Sequence, residues 1–392
     1  MASIIELGNN KYRLIISNGY DIKGNRKRTS KTVQAKSKHE AEKQATLLEA
    51  EVLNGKVEHS NHYTFKELVD KYKEYQKDNL ADKTVVRYEG IIKDFLLPAF
   101  GRKLVKDIQP LHIEQYLAEL HKDSIRKDGK AGGYSEKTIR HHYMLLSSIL
   151  NYGVKWQIIS QNPCNFVDAP KVAKTEAKYY QPEQVKELLK ALNRAPMKYK
   201  VFVHVALFSG CRRSEIMGLE WKDIDFDKNT FHICRTSQYT KEKGIFTRNI
   251  LKNGSSSRTV TIPDGTIELL KQYKVYQDRQ KSNYGDGWVD TDRLFTQKNG
   301  EPMSPDTPYQ WFEAFLKKKG LPKLTVHQLR HTNISLMIYQ GTDLVTIAAE
   351  KGHSVYTMLN TYAHVIRKAC DEGAIKLNDA FYKKVAEKTD NK

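Results

Sequence analysis

Between Val326 and Val365 the chain reads VHQLRHTNISLMIYQGTDLVTIAAEKGHSVYTMLNTYAHV, a stretch that carries His327, Arg330, His331, His353, Tyr356, Tyr362 and His364. A packed core has no use for so many imidazoles and phenols around one arginine. Two further stretches bear groups of matching chemistry. ALFSGCRRSEIMGLEWKDIDFD sets Arg212 and Arg213 just after Gly210, with Glu215 three residues beyond Arg212. LKNGSSSRTVTIP places Lys252 beside an Asn-Gly turn, ahead of a strand. His327 and His331 stand at i and i+4, which suggests zinc first. The catalytic zinc motif needs Glu directly after the first His, and this chain has Gln328. Arg330 would also set a permanent cation beside the metal, with no acidic third ligand nearby. A serine triad lacks its Gly-x-Ser-x-Gly elbow, and the Gly-rich pieces do not match a Walker loop.

A phosphate fits these residues better. Arginine presents a rigid fork of donors that matches phosphate oxygens and does not lose its charge. Two arginines with imidazoles beside them can hold a phosphodiester and stabilise a pentavalent transition state without metal. Tyrosine is a competent nucleophile once neighbouring cations stabilise its phenolate. Lysine can protonate a departing sugar oxygen. The set is complete for attack on a DNA phosphate.

In chain order, GCRRSE, Lys252 beside its turn, HQLRH, GHS and TYAH resemble the tyrosine recombinase or phage integrase family, including the nine-residue step from His353 to Tyr362. The resemblance extends over essentially the whole chain. The arrangement looks like that of integrases of phages and conjugative transposons from Gram-positive bacteria, with the resemblance strongest beyond Gln181 and weakest before His59. It implies that Arg212 and Arg330 grip the scissile phosphate and that Lys252 is the general acid for the 5′ oxygen. His327 would assist proton transfer, His353 would hydrogen-bond the phosphate, and Tyr362 would form a 3′-phosphotyrosyl bond. Glu215 matches the family's acidic helper, and His331 reads as a packing or supporting residue. Cys211 departs from the leucine common there, a change that affects packing. Arg213, next to Arg212, leaves open which of the two faces the phosphate. Tyr356 and Tyr362 lie six residues apart, so on one helix they point in separated directions.

These groups need elements to position them, and 392 residues suffice for two or three domains. The segment up to His59 reads as short strands, KYRLIISNG and RTSKTVQA, around the turn YDIKGNRK, followed by a helix that opens on Ser37 with Glu40 three residues on. Seven basic residues and no acid lie between Lys23 and Lys38, among them Arg26, Lys27 and Arg28. A two-stranded ribbon so charged can enter a DNA major groove. From Tyr63 to Asn165 the pattern predicts four helices, in TFKELVDKYKEYQ, KTVVRYEGIIKDFLLPAFG, QPLHIEQYLAELHK and SEKTIRHHYMLLSSILNYGVKW. Arg87, Lys137, Arg140, His141 and His142 dot their polar faces as candidate phosphate contacts. VDAPKVAKTEAKYYQPEQ reads as an extended linker over residues 166–180, and residues 181–392 as the domain that carries the chemistry, helical at both ends and strand-rich in its middle. Near the end, Ala374, Leu377, Phe381 and Val385 form an apolar stripe. Gly373 is expected to break the chain before it. By resemblance, this stripe is a helix passed to a neighbouring protomer.

The whole is expected to be multidomain and mainly α with α+β parts. A small β-rich arm-binding domain (1–59), a helical core-binding domain (63–165) and a mixed α/β catalytic domain follow in turn. A formal charge of +19 and a pI near 9.4 favour a polyanionic partner, nucleic acid before membrane. Four scattered cysteines with no CxxC pair fit a reducing compartment, and the start MASIIELGNNKYRL has no signal-peptide pattern, so a cytoplasmic protein is expected. The resemblance implies a site-specific recombinase that integrates and excises a mobile element, with no cofactor and with double-stranded DNA as partner. It further implies four protomers on two core sites and separate arm sites. An excision partner and a host DNA-bending protein are the accessory factors it allows, and no residue names either. Two alternatives remain at this point: a type IB topoisomerase, and a silent DNA-binding repressor on the same scaffold.

Overall fold

The computed structural model describes residues 2–20, 26–53, 63–77, 79–123, 125–173, 177–249 and 257–383. The chain divides into two compact units, Met1–Ala173 and Lys174–Lys392.

The first unit opens with an antiparallel sheet in the order β1-β2-β3, formed by β1 (Ala2–Gly8), β2 (Lys11–Tyr20) and β3 (Arg26–Gln34). Helix α1 (Lys38–Leu53) packs on it. Alternate residues Tyr12, Leu14 and Ile16 are buried with Ala41, Ala45 and Leu48, as the two-residue period of a strand requires. The Ser37 hydroxyl accepts the Glu40 N–H at 3.3 Å, as expected of a cap. Strand β1 was not foreseen. Its signal lies in Asn9 and Asn10, both at positive φ (52° and 55°), the geometry of a tight hairpin turn that asparagine tolerates.

The same unit contains α2 (Phe65–Gln76), α3 (Asp82–Ile91), α4 (Leu97–Phe100), α5 (Pro110–Glu119) and α6 (Glu136–Lys155). Thr64 caps α2 in a reciprocal bond with Glu67. Helices α3 and α4 are one run, joined by a widened π turn at Ile92–Leu96. The turn widens just before Pro98, which has no N–H to offer Asp94. Phe65, Leu68, Val69 and Tyr72 share a core with Ile139, Leu146, Ile149 and Leu150. Arg87, Lys137 and Arg140 are exposed, and desolvation, then the charges of Arg87 and Lys137, oppose protonation of His141. His142 is a correction: it is buried in this core, with Nδ1 2.7 Å from the Tyr116 hydroxyl, and does not face outward.

The second unit runs α7 (Pro182–Leu192), α8 (Met197–Ser209), α9 (Arg213–Ile216), β4 (Ile224–Asp225), β5 (Thr230–Ile233), β6 (Arg235–Thr240), β7 (Gly244–Asn249) and β8 (Arg258–Thr261). Then follow α10 (Asp264–Tyr284), α11 (Thr307–Lys319), α12 (Val326–Tyr339), α13 (Leu344–Lys351) and α14 (Val355–Asn378). One small sheet has the order β4-β5-β8, and β6 pairs with β7 as a hairpin. Helix α8 is apolar nearly all round, so it lies inside, with α10, α11 and α12 against it. Among the described residues no helix is long and apolar enough to cross a membrane. The expected break at Gly373 is absent, because α14 continues through it to Asn378; the departure from helical geometry falls at Tyr362 instead (φ −113°, ψ 15°). Leu377 and Phe381 are exposed, 61% and 67%, while Val385 lies outside the described residues.

Candidate active site

Helix α8 ends at Gly210, which is left-handed (φ 61°) and so tightly seated that a Cβ there would lie 2.5 Å from Asn333 Oδ1. The chain then turns into α9 with Arg212 as its N-cap residue. The Arg212 N–H and guanidinium each donate to the Glu215 carboxylate at 2.8 Å, and Nη2 donates to the Gly352 carbonyl at 2.9 Å. Glu215 is 2% exposed and also receives a two-pronged bond from Arg258 at 3.2 and 2.8 Å. Burial alone would raise this carboxyl. The Arg258 bond and charge, with the Arg212 N–H and charge behind them, hold it below the usual carboxylate range, so it stays anionic. Arg213 turns away to Asp306 at 2.8 Å, which settles which arginine joins the cluster.

Arg330, on α12, is 1% exposed. Its Nη1 donates to the Gly210 carbonyl at 2.7 Å, and Nη2 donates to the Lys351 carbonyl and lies 2.9 Å from His353 Nε2. Its Nε is buried with no hydrogen-bond partner among the described residues. Burial, and then the charge of Arg212, push its guanidinium down to about 10. Two cations therefore converge on the turn that follows α13, one with a donor to spare, an arrangement that an anion would relieve. The turn is fixed by Gly352 in the left-handed region (φ 65°), and the His353 N–H closes onto the Ala348 carbonyl at 2.9 Å. Burial, then Arg330 and Arg212, lower His353 to about 4. Desolvation beside the site, then the same two arginines, lower His327 as well, although its side chain is exposed. Both imidazoles are neutral near pH 7.

Tyr362 is fully buried among Ile334, Ile338, Met358 and Val365, and burial pushes its hydroxyl above the usual phenol range. Its Oη lies 2.6 Å from His331 Nδ1. Tyr356, by contrast, is 78% exposed, and the ring of His364 packs on Tyr179. The structure thus brings Arg212, Glu215, His327, Arg330, His353 and Tyr362 to one region. Lys252 and Lys23 lie outside the described residues. Arg26 and Lys27 belong to β3, and Arg28 there is exposed.

Two members of the site escaped the sequence. Arg258 is 43 residues from its partner Glu215, and no spacing rule links them. Lys351 is 1% exposed, with Nζ donating to the Ser209 carbonyl at 3.0 Å and lying 3.3 Å from Glu350. It ties the end of α8 to the turn that orients both arginines. Lys351→Met keeps the stem and deletes the tie, and is expected to slow cleavage on the order of tenfold or more while DNA binding persists, because small misplacements of catalytic groups are costly. Single-turnover cleavage beside a gel-shift titration measures both, and an unchanged rate would reduce Lys351 to a packing side chain.

The phage integrase family model matches residues 178–368, and the phage integrase N-terminal SAM-like domain matches residues 64–121, more than half of the chain together. The chain belongs to the phage integrase family. This integrase is 27% identical to the ICEBs1 integrase of Bacillus subtilis over 379 residues, 96% of this chain and 99% of that protein. It is also 27% identical to a XerC-like tyrosine recombinase of Caldanaerobacter subterraneus, covering 96% of this chain and 98% of that one. Among solved structures, the Tn1549 transposon integrase in complex with a circular intermediate DNA superposes with a TM-score of 0.67 at 20% identity, over 80% of this chain and 99% of that one. A lambda integrase dimer bound to a COC′ core site gives 0.56 at 17% identity, over 76% and 95%. The expected mainly helical, multidomain fold holds. The integrase is a tyrosine site-specific recombinase, and DNA is its substrate.

Proposed function

We propose that this integrase cuts DNA by attack of Tyr362 Oη on a phosphate held by Arg212 and Arg330. The P–O5′ bond breaks, the 3′ phosphate becomes bonded to tyrosine, and Lys252 protonates the departing 5′ oxygen. A 5′ hydroxyl from the second duplex then attacks the phosphotyrosyl bond and frees the enzyme. Phosphodiester energy is conserved throughout, so neither ATP nor metal is needed. The observation that carries this reading is the convergence of the two arginines on carbonyls of adjacent residues, Lys351 and Gly352, with His353 alongside and Arg330 Nε without a partner among the described residues. His327 and His353, neutral there, would serve as hydrogen-bonding partners of the phosphate and of the moving protons. A type IB topoisomerase shares the nucleophile, but the basic N-terminal ribbon speaks for recombination.

The rest of the chain follows from that reading. Residues 1–59 would hold arm-type sites through Lys23, Arg26, Lys27 and Arg28, and residues 63–165 would follow the core site through Arg87, Lys137 and Arg140. Residues 166–180 would link them to the catalytic domain, 181–392. Both DNA contacts on one chain raise the effective concentration of the second. Four protomers would assemble on two core sites in the cytoplasm, each offering its exposed Leu377 and Phe381 to a neighbour. An excision partner or a host DNA-bending protein would set direction. The test is a core-site substrate nicked beside the scissile phosphate, which traps the adduct by losing the short leaving strand. Mass spectrometry is expected to place the nucleotide on the peptide that contains Tyr362. Trapping on another residue, or none, would refute the assignment.

A further inference from the structure

The resemblance assigns proton transfer to His327, yet the imidazole within hydrogen-bond reach of the tyrosine hydroxyl is His331. Its Nδ1 lies 2.6 Å from Tyr362 Oη. His327 instead packs its ring edge-on against that of His331, with centroids 4.9 Å apart and planes at 87°. The two partners sit on different helices, α12 and α14, 31 residues apart in sequence. On α12, His331 directly follows Arg330, which binds the turn carrying His353. On α14, Tyr362 occupies the one position with non-helical backbone angles. A packing imidazole needs no contact with the one atom that must lose a proton.

We propose that His331 is the group that accepts the Tyr362 proton when the nucleophile attacks, an inference that rests on Tyr362 being that nucleophile. With the ring proton on Nε2, the Nδ1 lone pair receives the hydroxyl hydrogen. As the Oη–P bond forms, that proton passes to Nδ1 while the P–O5′ bond breaks and its oxygen is protonated by the general acid. In rejoining, the incoming 5′ hydroxyl gives its proton back to the deprotonated general acid as it displaces the tyrosine, and His331 returns its proton to the phenolate oxygen. No proton is left over in either direction. The ring enters the reaction unprotonated, as a proton acceptor must. Burial, then His327 and Arg330 on its own helix, lower it to about 4, and Tyr362 and His353 are the other titratable groups facing it. An arriving phosphodiester brings a negative charge that favours the imidazolium at the moment it is needed.

The experiment uses the full-length protein, a nicked core-site duplex, and either tyrosine or 3,5-difluorotyrosine at position 362. Fluorination makes the phenol more acidic and so reduces its need for a base. His331→Ala is expected to lower single-turnover cleavage roughly a hundredfold or more at unchanged DNA affinity. Its rate should climb steeply with pH as hydroxide replaces the base, where the wild type is flat. Difluorotyrosine should restore much of the lost rate in His331→Ala and none in Arg330→Ala. His331→Asn keeps a hydrogen-bonding group beside Oη without its basicity, so it should behave as His331→Ala even where alanine impairs folding. Wild-type or faster cleavage by these variants would overturn the proposal, as would a loss equal with both tyrosines. An adduct mapped away from Tyr362 in the wild type would instead refute the nucleophile assignment itself.

Discussion

Tyr362→Phe is expected to bind core-site DNA with wild-type affinity and to form no covalent adduct, a loss as large as the assay can measure. The substitution removes a single oxygen from a side chain that is wholly buried among apolar neighbours, so the packing of Ile334, Met358 and Val365 around the ring survives. What it abandons is the bond to His331 Nδ1, which leaves that half-buried ring nitrogen without its partner. That costs about 1–3 kcal/mol of stability at most, a few degrees of melting temperature for a domain of this size. Tyr356→Phe is the control. At 78% exposure its hydroxyl has solvent in place of the site, and cleavage should be unaffected. An adduct formed by Tyr362→Phe on the nicked substrate would end the assignment.

Arg330→Lys should lose cleavage by on the order of a hundredfold or more, although it preserves the charge. The reason is geometric. Arg330 spreads over three acceptors, the carbonyls of Gly210 and Lys351 and the ring of His353, and does so with a planar fork. An ammonium on a flexible stem reaches one of these at a time. Because Arg330 is 1% exposed, the replacement also buries a strongly hydrated charge that the surrounding carbonyls are not shaped to satisfy. Single-turnover rates at saturating DNA separate this from weakened binding. A lysine variant that cleaves within a few fold of wild type would show that charge alone, without orientation, carries the arginine's contribution.

The candidate site residues were legible because the proposed chemistry restricts their types and, near Tyr362, their spacing. His353 and Tyr362 stand nine residues apart, the step on which the resemblance chose Tyr362; helical periodicity added only that Tyr356 and Tyr362 point in separated directions. Arg212 against Arg213 was not decidable from the chain, since adjacent residues diverge only once Asp306, 93 residues away, claims one of them. Arg258 and Lys351 were invisible for the same reason: each acts through a partner brought near by the fold. His142 misled because an imidazole on a helix reads as polar until its burial is known. Strand β1 was missed where paired asparagines, not the more telling Asn-Gly, make the turn. Gly373 misled in the other direction, since a glycine lowers helix propensity by only about 1 kcal/mol and a long helix absorbs it.

Both arginines of the cradle take their aim from peptide oxygens: those of Gly210 and Lys351 for one, that of Gly352 for the other. Peptide oxygens are present whatever the residue. Mutation at most positions lining this cradle therefore leaves the acceptors in place, and only the two left-handed glycines, Gly210 and Gly352, are held by conformation. A lineage of such enzymes can then exchange neighbouring side chains other than Glu215, Lys351 and His353, which also hold the guanidiniums or their turn, to suit new target sequences or new hosts, without surrendering the alignment on which the proposed cutting depends. Selection would bear hardest on the two glycines and those three side chains, and drift elsewhere around them would be freer.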